Sequence, residues 1–168
     1  MLLKKLLFFF TGIILLFLQV HPFLPFGKSG IRPDFILIFV IYIGLNFPFS
    51  RGAFVCFFLG YCVEILSGAN SGLYLVIYLN VFITIRTLQK YLNFDTIIKL
   101  VFLLLICLFV KFIILLFSFY FIYEYSHFVL RKTFIKETIF TLMLFPVVFS
   151  LISRIYNQQK VTSPSITT

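Results

Sequence analysis

The chain has 168 residues, of which 62% are hydrophobic and only 11% charged, with a mean hydropathy of +1.14. Soluble domains carry about 25% charged residues, so this chain cannot clothe a core in a water-facing surface, and a lipid bilayer is the solvent that suits it. The net charge of +9 does not signal nucleic acid, because the cations stand singly or in pairs at the ends of apolar runs, where they orient helices and meet lipid headgroups.

In chain order, Lys4 and Lys5 precede an apolar run from Leu6 to Val20. No small-residue cleavage site follows, since the chain continues His21-Pro22-Phe23-Leu24-Pro25, so the run is read as an uncleaved first helix over about 2–24. The Pro- and Gly-rich stretch from Pro22 to Pro33 is the first extramembrane loop. The next two runs, about 34–47 and 52–66, are separated by Asn46-Phe47-Pro48-Phe49-Ser50-Arg51. Each is shorter than the roughly 20 residues of a full span. A re-entrant hairpin would set Arg51 near the bilayer centre at a high desolvation cost, so two short spans are the better reading.

Ser67-Gly68-Ala69-Asn70-Ser71-Gly72 reads as a turn, followed by a fourth helix over about 73–88. The longest run follows at about 97–123, and Tyr120, Tyr123 and Tyr125 mark an interface belt at its end. A loop from Glu124 to Lys136 leads to a sixth helix at about 134–152 and a short polar tail over 153–168. The expectation is an all-α integral membrane protein, one six-helix transmembrane bundle over the whole chain. With the N-terminus inside, the inner face gathers eight Lys and Arg (Lys4, Lys5, Arg51, Arg86, Lys90, Lys99, Arg154, Lys160) against five outside (Lys28, Arg32, Arg131, Lys132, Lys136). The bias puts both termini in the cytoplasm.

Two ionisable residues stand well inside apolar runs, Glu64 and Lys111. A central Lys costs roughly 2.5–3.5 kcal/mol on insertion, which the surrounding apolar residues outweigh. Glu64 lies 13 residues after Arg51 and Lys111 lies 12 after Lys99, which sets both at similar depth. A buried Glu64–Lys111 pair is therefore a hypothesis, against the plainer alternative of separate snorkelling charges. Gly60, Glu64, Gly68 and Gly72 recur at four-residue spacing. Gly60 would admit a neighbouring helix closely, whereas Gly68 and Gly72 suit a turn that needs positive φ.

Catalytic patterns are missing. Ser67 and Ser71 have no base in nucleophile spacing, His21 and His127 stand alone, and no phosphate-loop, dinucleotide or metalloprotease motif occurs. Cys56, Cys62 and Cys107 lie within apolar runs without metal-ligand spacing, so neither a metal site, a disulfide framework nor a cofactor is expected.

The stretch Arg32-Pro33-Asp34, an apolar run, and then Gly60-x3-Glu64-Ile65-Leu66-Ser67-Gly68-x3-Gly72-Leu73 resembles the MreD family of rod shape-determining proteins. Glu64 stands where Asp is commoner in that family, and Ala69-Asn70 replaces a usual proline-containing turn. The resemblance implies a six-helix fold like that of the substrate-binding subunits of energy-coupling-factor transporters. It implies a non-enzymatic subunit of the bacterial cell-elongation complex in the inner (plasma) membrane, controlling cell shape and lateral peptidoglycan synthesis. Its partners would be the bitopic MreC and, through it, MreB, RodZ, a RodA-type glycosyltransferase and its transpeptidase. Arg32, Pro33, Asp34 and Gly60 are then candidate contact points, with helix capping as the alternative role of Arg32 and Asp34. A competing function is a small-molecule, vitamin-type binding subunit of a transporter, for which Glu64, Asn70, Asn80 and Lys111 would have to converge on a pocket.

Overall fold

A computed structural model describes residues 2–20, 33–67, 72–92, 96–122 and 127–157. They form six α-helices and no strand: α1 (Leu2–Val20), α2 (Phe35–Asn46), α3 (Phe49–Ser67), α4 (Leu73–Gln89), α5 (Ile97–Ile122) and α6 (His127–Asn157). Three described stretches are long and apolar enough to cross a membrane by length and composition, Phe49–Ser67, Ile98–Ser118 and Ile135–Arg154. Shorter apolar stretches, Phe10–Gln19, Phe35–Asn46 and Leu73–Gln89, belong to the other three helices.

The surface is inverted relative to a water-soluble bundle. On α5, Ile98, Phe102, Leu105, Phe109, Ile113 and Leu116 recur every three or four residues and are all exposed. On α6 the exposed series is Ile135, Ile139, Met143, Val147 and Leu151. In water such stripes would cost several kcal/mol each; against acyl chains they cost nothing.

The helix α2 is the axis of the bundle. Its residues Ile36 to Gly44 are buried without interruption, on every side of the helix. It is packed against α1, α3, α4 and α6. That explains its sequence, FILIFVIYIGLN, which shows no polar face: a helix with neighbours all round needs none. At about 1.5 Å per residue its 12 residues cover about 18 Å, little more than half of the roughly 30 Å hydrocarbon core. The α2–α3 connection is only Phe47-Pro48, and the Pro48 carbonyl accepts the amide of Gly52 at 2.9 Å, starting α3 directly behind the break.

Most helix positions follow the apolar runs, and the sixth departs from them. The segment from Glu124 to Lys136, expected as a loop, is helical from His127 onward. Its Arg and Lys residues are good helix formers, and hydropathy registers their charge rather than their backbone preference. The expected loop over 22–32, Gly68 to Ser71, Tyr123, Tyr125 and the polar tail beyond Asn157 lie outside the described residues.

Candidate functional site

A short helix enclosed in a bundle poses a problem at its start. The first amides of α2 lack intrahelical acceptors, and water does not reach them to compensate. The structure satisfies them one by one. The amide of Asp34 donates to Thr141 Oγ1 on α6 at 3.0 Å. Phe35 N donates to the Pro33 carbonyl at 3.1 Å, Ile36 N to Gln19 Oε1 on α1 at 2.9 Å, and Leu37 N to Asp34 Oδ1 at 2.9 Å. Asp34 is thus the N-cap of α2, with its negative charge at the positive end of the helix dipole.

That carboxylate is fully buried and is itself paired. Lys111 Nζ, from α5, donates to Asp34 Oδ2 at 2.6 Å, and the Tyr78 hydroxyl, from α4, donates to Oδ1 at 3.1 Å. Lys111 also donates to Glu137 Oε1 on α6 at 2.5 Å. Thr141 Oγ1 donates back to the Glu137 carbonyl at 2.8 Å, and Gln19 Nε2 reaches the Tyr78 oxygen at 3.4 Å. One connected network therefore joins α1, α2, α4, α5 and α6 around Asp34. Lys111 is 4% exposed, Asp34 0% and Glu137 22%, so the cluster opens toward the bundle surface only at Glu137. Its charges stand unscreened by solvent, where losing one partner is costly.

The expected Glu64–Lys111 pair is corrected by this arrangement. Lys111 belongs to Asp34 and Glu137. Glu64, also buried, turns to the start of α4, where Oε1 accepts Leu73 N at 3.2 Å and Oε2 accepts Tyr74 N at 3.0 Å. It caps a helix from outside that helix's own sequence, which explains an acid near the end of an apolar run. Gly72, directly before α4, has φ of 68°, a left-handed conformation that glycine adopts without penalty. A Cβ on Gly60 would stand 2.7 Å from the Leu75 backbone, so the helix that approaches here is α4 of the same chain.

Pro33 and Asp34 are buried within the bundle, so neither offers the open contact point expected of it. Arg32 and Gly68 lie outside the described residues. Of the four side chains proposed to line a small-molecule pocket, the three described ones do not converge. Glu64 and Lys111 are engaged in separate places, Asn80 is exposed with its Nδ2 on the Val76 carbonyl at 2.9 Å, and Asn70 is not described. Among the described residues no group of His, Cys, Asp and Glu is arranged to hold a metal ion. Sequence reasoning missed Gln19, Tyr78, Glu137 and Thr141. Their available signal was a single polar residue set in or beside an apolar run, which indicates burial without indicating the partner.

Fold and site together define an all-helical membrane protein whose interior polar groups brace its helices. A protein-family comparison matches residues 1–155 to MreD, rod shape-determining protein MreD. The chain belongs to that family, a family of cell-shape determinants and not a known family of enzymes. No curated protein and no solved structure matches it.

Proposed function

We propose that this chain is a non-enzymatic scaffold subunit of the bacterial cell-elongation complex in the plasma membrane, working by docking other membrane proteins. Its partners on this reading are a bitopic, MreC-like protein and, with it, MreB, RodZ and the glycosyltransferase–transpeptidase pair that builds lateral wall. Both termini face the cytoplasm, and the whole chain is one membrane domain on the six-helix plan of energy-coupling-factor binding subunits. Family membership supports the role in rod shape. The observation that carries the docking reading is the Asp34–Lys111–Glu137 network with its helix-cap partners. It spends the interior polar groups on holding five helices together and leaves apolar helix faces pointing outward. Such faces recognise neighbouring helices by packing.

Since Asp34, Gly60 and Glu64 are used internally, partner contacts fall on the outward faces of the helices and on the segment that carries Arg32. The test is depletion of the protein in its own rod-shaped host, with rescue by a tagged copy and purification of the tagged copy in mild detergent. Rounding on depletion, rescue, and recovery of a protein with one membrane helix and a periplasmic coiled coil are expected. Rod shape persisting after full depletion would refute the proposal.

A further inference from the structure

One end of the bundle gathers positive charge. The C-terminal ends of α2, α4 and α6 and the N-terminal ends of α3 and α5 meet there, bringing Arg51, Arg86, Lys90, Lys99 and Arg154. The described carboxylates, Asp34, Glu64 and Glu137, sit in the other half of the helices that carry or adjoin them. Within the basic end lies a pocket of about 640 Å³ lined by Phe49, Ile83, Arg86, Thr87, Gln89 and Lys90. Ile83, Arg86, Thr87 and Lys90 follow the spacing of one helix face, and Phe49 closes the side where α3 begins.

Arg86 is built into this pocket. Its Nη1 donates to Gln89 Oε1 at 2.9 Å and to the Gly44 carbonyl at the end of α2 at 3.4 Å. Gln89 is held in turn by Nε2 donating to the Leu45 carbonyl at 3.0 Å. These bonds fix the guanidinium plane through Nη1, and the donors on Nε and Nη2 lie in that same rigid fork, which matches two oxygens of a phosphate. Lys90, one turn further on, adds a second, exposed cation, while Thr87 lines the pocket with its hydroxyl donating to the Ile83 carbonyl at 2.9 Å. Phe49 and Ile83 supply an apolar wall beside the charges, both about half exposed. A free phosphate has no use for that wall; a phosphate carrying glycerol and acyl chains does. A volume in the range of ligand pockets, roughly 300–1,000 Å³, accommodates such a headgroup.

We infer that this pocket is a binding site for the phosphate of an anionic phospholipid headgroup, with Arg86 and Lys90 as its charged ligands. Full-length protein in neutral detergent is titrated with dihexanoyl-phosphatidylglycerol, and in parallel with dihexanoyl-phosphatidylcholine and with inorganic phosphate, following the thermal melting midpoint. Phosphatidylglycerol is expected to raise the midpoint saturably while the other two leave it in place. Lys90→Glu and the charge-neutral Thr87→Leu should each weaken the response about tenfold, as the loss of a charge-assisted contact or of the pocket's space does, and Arg154→Glu, on the same end outside the pocket, should not. Inorganic phosphate acting as well as the lipid would overturn the lipid assignment. An unchanged response in both pocket variants, an equal loss in Arg154→Glu, or no effect of phosphatidylglycerol would overturn the site.

Discussion

Asp34 shows how much a single buried carboxylate can organise. It caps its own helix, accepts the Tyr78 hydroxyl and neutralises Lys111, so three helices depend on it directly. Asp34→Asn keeps the shape and removes the charge, which leaves Lys111 facing Glu137 alone. Removing one partner of a buried pair costs about 3–5 kcal/mol, and unfolding in mixed detergent micelles should show a loss of that order. Combining Asp34→Asn with Lys111→Met should cost less than the sum of the two single changes by about 1 kcal/mol or more, while Glu64→Gln with Lys111→Met should be additive. The sequence displayed both charges of this pair but not their partnership. Counting from the flanking cations placed Lys111 and Glu64 at one depth, and depth leaves open which helices are neighbours. α5 packs on α4 and α6, and one of the two carboxylates that meet Lys111 is 77 positions away at the head of α2.

At the scale of elements, helix ends are where the chain's polar residues are spent. The N-terminus of α2 is served by Gln19, Asp34 and Thr141, its C-terminus by Arg86 and Gln89, and the N-terminus of α4 by Glu64. Glu64→Ala removes the acceptor from two amides and should cost about 1–2 kcal/mol, with Glu64→Gln retaining part of the stability. Gly60→Val forces α3 away from the α4 backbone, where even a Cβ would sit 2.7 Å from Leu75 Cα. It should lower the melting midpoint more than Gly72→Ala, whose cost is confined to a left-handed turn residue at about 1–2 kcal/mol. The apolar runs made the helices themselves legible, because hydropathy and polar punctuation are local. Caps supplied by other helices were not, since Thr141 and Gln19 carry no sequence mark that assigns them to α2.

For the whole molecule, a family of shape determinants, an interior committed to bracing and an apolar exterior support the proposed docking role. The class was legible early, in the scarcity of charge, and the family in the order of Pro33-Asp34, Gly60, Glu64 and Gly72. What stayed hidden was the central place of α2, which hydropathy ranks as one more short span. The most direct test places a photo-activatable amino acid at outward positions such as Phe109, Ile113, Met143 and Val147, and at buried Leu104 as a control, in growing rod-shaped cells. The account predicts that a subset of the outward positions crosslinks to a membrane protein with one membrane helix and a periplasmic coiled coil, and that Leu104 does not. Crosslinks to lipid alone at every outward position, and at further positions covering all helix faces and the Arg32 segment, in cells that keep their rod shape, would contradict it.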